Sequence, residues 1–340
     1  MRLNFVHSNL WILLMWALIV ASALHIRPLL PVDETRYLAV AWDMWLEASY
    51  LVPHLNGEPY SHKPPLLFWL ITAGWHVFGI NDWWPRLVAP VFGLGTVLLI
   101  GLLAQTLWPD REKIHITAPF MLFGTLFWTV FTTLTMFDMI LAFFNVAALI
   151  VLIFTARTGH LTGFLLSGLM IGFGILAKGP AIFIHYLPVA LSAPWWLNRL
   201  PDLNKAVIWN WKRWYFGVAC SMFCAVGIGL AWAIPAGIAG GEVYRDAIFW
   251  GQSAGRIVNS FAHARPFWWY AAVLPALVMP WFIWPPLWRC LRLRNVAADG
   301  AQRFCIIWFA TAFLVFSLVD GKQAHYLLPE FPALALLVAS

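Results

Sequence analysis

A chain of 340 residues is long enough for two or three soluble domains, but its composition excludes them: 62% of the residues are hydrophobic and 11% charged, against about 45–50% and about 25% for a soluble globular domain. Trp and Phe, at 23 and 26 residues, together outnumber the 21 basic and 15 acidic side chains, too little charge to cover a water-facing surface or to keep a chain disordered. The formal net charge of +6 comes from short basic clusters between apolar stretches, not from a run or a stripe, which sets aside a nucleic-acid binder and leaves an all-α polytopic membrane protein.

The first apolar stretch runs from Asn9 to about Leu30, behind an N-terminus with Arg2 and no acid. Ala21-Ser22-Ala23 resembles a signal-peptidase site, but the apolar run continues past it, which predicts an uncleaved first helix. The segment from Pro31 to Pro65 is amphipathic: Tyr37, Leu38, Val40, Ala41, Met44, Trp45 and Leu46 recur at near-helical spacing, with Asp43 and Glu47 on the other side. That pattern predicts a helix lying in the interface plane. Further apolar stretches follow at about 66–80, 87–107, 117–134, 139–156, 161–177, 181–197, 215–235, 268–288, 304–319 and 327–340. The expectation is one transmembrane domain over 1–340 with about ten spans, and 31–86 as its first extracytoplasmic loop. The pairs Trp83-Trp84, Trp195-Trp196 and Trp268-Trp269 stand at stretch ends, where Trp anchors the interface. The four cysteines, Cys220, Cys224, Cys290 and Cys305, lack zinc-site spacing and read as small apolar side chains.

Orientation follows from the basic loops. Arg111 and Lys113, Arg157, Arg199 with Lys205, Lys212 and Arg213, and Arg289, Arg292, Arg294 and Arg303 form one set, which the positive-inside rule assigns to the cytoplasm. The remaining polar residues then share the opposite face: Asp33-Glu34-x-Arg36, His62-Lys63, Asp138, Lys178, Arg256, His263-x-Arg265 and Lys322-x-x-His325. This requires that 66–80, short and bounded by Pro64-Pro65 and Gly79, is not a full crossing.

Asp33 and Glu34 stand where an acid caps a helix, and equally where one does chemistry. Asp138, alone between two apolar stretches, is by default a functional candidate, because an isolated carboxylate at membrane depth is costly. Lys63, in the run His54-Leu55-Asn56-Gly57-Glu58-Pro59-Tyr60-Ser61-His62-Lys63-Pro64-Pro65, is a single cation at the membrane surface. Snorkelling accounts for one such Lys; it accounts less well for Lys178, Lys322, Arg256 and Arg265 on the same face. Five cations against the positive-inside trend predict an anion pocket.

The segments VDETRYLAVAWDMW, HLNGEPYSHKPPLLFWLITAGWHVFG, LAKGP, HARPFWWY and FSLVDGKQAHYLLPEFPALALL, in this order, resemble the bacterial polyprenyl-phosphate-sugar glycosyltransferases, in particular the ArnT-like lipid A aminoarabinose transferases and the related protein O-mannosyltransferase superfamily. The resemblance implies a GT-C fold, a helical bundle with horizontal helices in the first periplasmic loop. It implies an enzyme of the bacterial inner membrane that moves a sugar from a polyprenyl-phosphate donor to a periplasmic glycan, lipid or protein acceptor. Residue by residue, Asp33 matches the first-loop acid and Asp138 the second. These are the catalytic candidates: a carboxylate near the acceptor hydroxyl can act as general base, a role read here for Asp33, with Asp138 orienting the acceptor or sugar and the two roles interchangeable. Lys63 matches the Lys that contacts the lipid phosphate, and Arg256 looks like the family's loop Arg. Glu34, Arg36, Lys178, Arg265, Lys322, His325 and Tyr326 complete the expected substrate-binding set.

The chain departs from that pattern at His62, where the aminoarabinose transferases usually carry a metal-binding Glu. No cofactor is certain; His62 with His263 is the candidate pair for a divalent ion, zinc or magnesium. Family members usually continue beyond Ser340, so a C-terminally truncated form is expected. A lipid-linked phosphosugar carries its own activated leaving group, which fits the lack of a P-loop or Rossmann fingerprint. The alternatives are a protein O-glycosyltransferase of the same superfamily and a transporter or flippase for a lipid-linked sugar. Against the latter, transporters place their sites near the midplane on broken helices and often show inverted repeats, whereas here the polar residues gather at one interface.

Overall fold

The computed structural model describes residues 2–200, 209–251, 264–285, 288 and 299–340. These are helical almost throughout. Strand pairing among them is limited to a two-stranded hairpin and one isolated bridge. Six helical stretches are long and apolar enough to cross a bilayer, and the pair α5 (Glu112–Phe123) and α6 (Leu126–Thr132), bent by 66°, raises the number to as many as seven. The chain is a multi-pass membrane protein.

Helix α1 (Arg2–Ile26) is followed by α2 (Asp33–Leu46), then the hairpin β1 (His54–Leu55) and β2 (Glu58–Pro59), α3 (Leu66–Phe78) and α4 (Trp83–Leu107). Thirteen residues make α3 roughly 20 Å long, short of the ~30 Å hydrocarbon layer; it starts behind Pro64-Pro65 and stops at Gly79, φ 72°. The first loop therefore begins and ends at one end of the bundle, as the single-face reading requires.

Beyond α7 (Phe137–Thr158) and α8 (Thr162–Lys178), the apolar stretch up to Leu191 doubles back. Ser167 Oγ donates to the Tyr186 hydroxyl at 2.8 Å across a separation of 19 residues; in a straight helix those residues would stand roughly 28 Å apart. Helix α8 ends at Lys178 because Gly179 takes φ 69°, and after the turn Gly179–Ala181 helix α9 (Ile182–Leu191) returns beside it. Lys178 sits at the apex of this hairpin.

At the opposite end the basic residues collect. Arg157 Nε donates to the Thr106 carbonyl at 2.8 Å and Arg303 to the Trp195 carbonyl at 3.2 Å, while Arg111 pairs with Asp299 at 3.6 Å. The paired tryptophans divide their labour: Trp195 is 70% exposed, but Trp196 is fully buried, packing edge-on to Phe304 at 5.1 Å. It belongs to the core, not to the interface as its position in the sequence suggested. A second, smaller core joins the first loop to the bundle, with Tyr37, Val40 and Met44 of α2 against Leu67, Phe68 and Phe137. This core supports the polar residues at that end.

Candidate functional site

Asp33 and Glu34 occupy the first turn of α2, where the N-terminal helix dipole favours acids, and the helical turn sends them opposite ways. Glu34 points inward. Its carboxylate forms an ion pair with Arg27, whose Nη2 stands 3.0 Å from Oε1, and accepts the N–H groups of Leu30 at 2.8 Å and Thr135 at 2.7 Å. Arg27 also donates to the Thr133 carbonyl at 2.7 Å, and Arg86 donates to the carbonyls of Ala23 and Arg27, each at 2.7 Å. Glu34, with 2% of its side chain exposed, thus fastens α1, α2 and the segment leading to Asp138 together. Burial works to raise its pKa, but the Arg27 bond and the two backbone donors outweigh that and hold it below the ordinary value of 4.5. A depressed folded-state pKa contributes stability above the ordinary value that is lost as pH falls through the lowered one. Glu34→Ala is expected to cost about 3–5 kcal/mol, the scale of breaking a buried ion pair, measured by thermal unfolding of the solubilised protein. Glu34→Gln should remove the acid-side loss of stability below about pH 5; an unchanged acid limb would show that this carboxylate does not titrate with folding.

Asp33 faces the other way, with 41% of its side chain exposed, paired with Arg36 and accepting the Tyr37 hydroxyl at 3.2 Å. Burial, then the charges of Asp33, Tyr60 and Asp138, push the Tyr37 phenol far above its ordinary range, so it stays protonated and donates. Asn56-Gly57, with φ 55° and 82°, forms the tight turn that two left-handed residues allow, and Asp43 Oδ2 accepts the Asn56 N–H at 2.6 Å. The hairpin returns the chain toward α2. Lys63 then arrives with Nζ 5.8 Å from the centre of the Phe137 ring, which itself packs edge-on to Tyr37 at 4.9 Å.

Asp138, in the first turn of α7 and 2% exposed, forms an ion pair with Lys178 from the α8–α9 apex. Lys178 Nζ also lies 4.7 Å over the Tyr326 ring, and His325 stands edge-on to Tyr326 at 4.9 Å. Asp138 is within electrostatic reach of Lys178, His325 and Lys63, and His325 within reach of Asp138, Lys178, Lys63 and Asp33. Five separate segments of the chain therefore bring Asp33, Arg36, Lys63, Asp138, Lys178, His325 and Tyr326 into one cluster.

Lys322 and Arg265 form a separate pair of neighbours. Lys322 is buried and donates to the Arg265 carbonyl at 2.9 Å, beside the bridge between Ala264 and Gly321, so it ties two segments together. Arg265 is exposed and lies 5.9 Å over Trp269. Arg256 and His263 lie outside the described residues. His62 is exposed and stacks on Tyr60 at 5.2 Å, and the described residues hold no group of three His, Cys, Asp or Glu side chains placed to share a metal. They do not by themselves supply a metal's donor set, and the chemistry below uses none. The sequence reading missed the aromatic walls of the cluster, Tyr37, Tyr60 and Phe137. Their signal was present, since the apolar face of α2 leads with a Tyr one turn after Asp33.

Residues 62–226 match the family model described as dolichyl-phosphate-mannose-protein mannosyltransferase. The chain is 30% identical over 337 residues to an undecaprenyl phosphate-alpha-4-amino-4-deoxy-L-arabinose arabinosyl transferase of Erwinia tasmaniensis, covering 96% of this chain and 58% of that protein. A transferase of the same description from Pseudomonas aeruginosa is 29% identical, with 90% and 54% covered. The chain thus spans less than two thirds of the length of these relatives. Among solved structures, ArnT from Cupriavidus metallidurans bound to undecaprenyl phosphate superposes with a TM-score of 0.80 at 20% identity, over 97% of this chain and 59% of that one. The archaeal oligosaccharyltransferase AglB from Archaeoglobus fulgidus follows with a TM-score of 0.59 at 14% identity, over 97% and 50%. The bundle and the first-loop helices agree with these likenesses: the chain has the GT-C fold of ArnT from Cupriavidus metallidurans, and its sequence is similar to the aminoarabinose transferases over less than two thirds of their length.

Proposed function

We propose that the chain is a glycosyltransferase of the bacterial inner membrane. It moves a sugar from a polyprenyl-phosphate donor, by analogy with its relatives an undecaprenyl-phosphate aminoarabinose, to lipid A or another envelope acceptor on the periplasmic face. The observation that supports this most strongly is the single cluster of two carboxylates, two lysines and an arginine at the end of the bundle opposite the basic loops. The two ends differ in kind: one carries the expected cytoplasmic charges, the other a mixed acidic and basic site walled by aromatic rings.

In this reading Asp33, the more accessible acid, takes the proton of the acceptor hydroxyl as the hydroxyl oxygen bonds to the anomeric carbon. The bond from that carbon to the phosphate oxygen breaks, and the polyprenyl phosphate leaves with the electron pair. Lys63, Lys178 and Arg36 meet the charge that develops there. Asp138 holds Lys178 in place and orients the sugar or acceptor. The sugar arrives activated, so no nucleotide is needed.

Lys63→Ala tests the donor half. It should weaken binding of undecaprenyl phosphate by roughly tenfold or more, the scale of one charge-assisted contact, and leave binding of undecaprenol unchanged. Equal losses for both lipids would assign Lys63 to packing and remove it from the phosphate site.

A further inference from the structure

Two residues that no part of this chemistry uses lie deeper in the bundle. His185 of α9 and Glu330, the last residue of the turn Ala324–Glu330, stand 145 positions apart and are 1% and 0% exposed. His185 Nδ1 bonds to Glu330 Oε1, and their other polar atoms, Nε2 and Oε2, have no hydrogen-bond partner among the described residues. For stability alone such a pair is a poor choice, because an apolar pair of similar volume is often as stable or more so. A directional bond does one thing that apolar contact does not: it fixes the angle between the two elements.

The elements it joins are those that carry the cluster. Lys178 ends one leg of the α8–α9 hairpin and His185 lies on the other, while His325 and Tyr326 open the turn that Glu330 closes. Phe316 stands between the two pairs, 5.6 Å from the His185 ring and 6.1 Å from the Tyr326 ring. We propose that His185 and Glu330 are a buried positioning pair that sets the rotation of the 324–330 turn and so holds Tyr326 against Lys178 in the donor site. The donor part of this proposal rests on the function proposed above; the positioning part rests on geometry alone.

The test uses the full chain in nanodiscs, with 3-fluorotyrosine placed at position 326 and undecaprenyl phosphate as the binding probe. Glu330→Gln keeps a hydrogen bond to His185 and should retain the parent fluorine line and an affinity within about twofold. The double variant His185→Phe with Glu330→Leu should fold with an unchanged or higher thermal midpoint. Its fluorine line should be shifted or split, and its affinity for undecaprenyl phosphate lowered roughly three- to thirtyfold, the range of mutations that act through a coupled network. A double variant with the parent line and the parent affinity would overturn the proposal. Should it not fold, His185→Leu, which has no polar atom to bond Glu330, carries the same two readouts with the same meanings. A displaced line in a protein whose parent form binds no undecaprenyl phosphate would uphold the positioning and refute the donor reading instead.

Discussion

Asp33→Asn is expected to lower sugar transfer by about 10²–10⁴-fold, the contribution of a positioned general base, in a protein that remains folded and inserted. The substitution is close to isosteric. An Asn at this position still accepts the Tyr37 hydroxyl, now at 3.2 Å from Asp33, and still reaches Arg36. What it loses is the ability to take a proton. The pair with Arg36 is partly exposed, at 30% and 41%, and contributes little to stability in water, so the thermal midpoint should barely move. Turnover of lipid-linked sugar by the purified variant, read beside that midpoint, separates the two effects. Near-parent turnover would remove Asp33 from the mechanism.

The Asp138–Lys178 pair should respond differently, because it is buried on both sides, at 2% and 12%. Asp138→Asn leaves the Lys178 ammonium in a largely apolar setting without its carboxylate, and about 3–5 kcal/mol of stability should be lost along with transfer. That result alone does not separate fold from function. The double variant Asp138→Leu with Lys178→Met removes both charges and restores apolar packing, so stability should return toward the parent's. Transfer should not return, and should stay at least about 10²-fold down, because in the proposed mechanism Lys178 meets the charge on the leaving phosphate. Recovery of transfer with stability would show that the pair serves only the fold.

Much of this site was legible in the sequence because charge is so scarce in it. Asp138 and Lys178 each stand alone beside apolar stretches, Asp33 and Lys63 lie in short polar runs between such stretches, and the positive-inside rule sorted them onto one face before any contact was known. The 13-residue length of α3 was readable from its flanking prolines and glycine. Roles were harder to read than places. Glu34 differs from Asp33 only by its direction from the helix, which depends on the Arg27 and Thr135 partners that tertiary structure supplies. Lys322 carries the same charge as Lys178, but its ammonium is taken up by the Arg265 carbonyl. The His185–Glu330 pair is silent in sequence: each partner sits singly within an apolar run, and 145 residues separate them. Trp196 looked interfacial because stretch ends usually are, yet the return of α9 beside α8 turns it into the core.

The most direct measurement is made on the purified chain reconstituted with undecaprenyl-phosphate-linked 4-amino-4-deoxy-L-arabinose and lipid A, with both lipids followed by mass spectrometry. The proposed function predicts lipid A heavier by one aminopentose residue and an equal release of undecaprenyl phosphate, both lost in Asp33→Asn. Intact donor and unmodified lipid A with the parent chain would contradict this assignment of donor and acceptor, and product formed by Asp33→Asn at the parent rate would contradict the site.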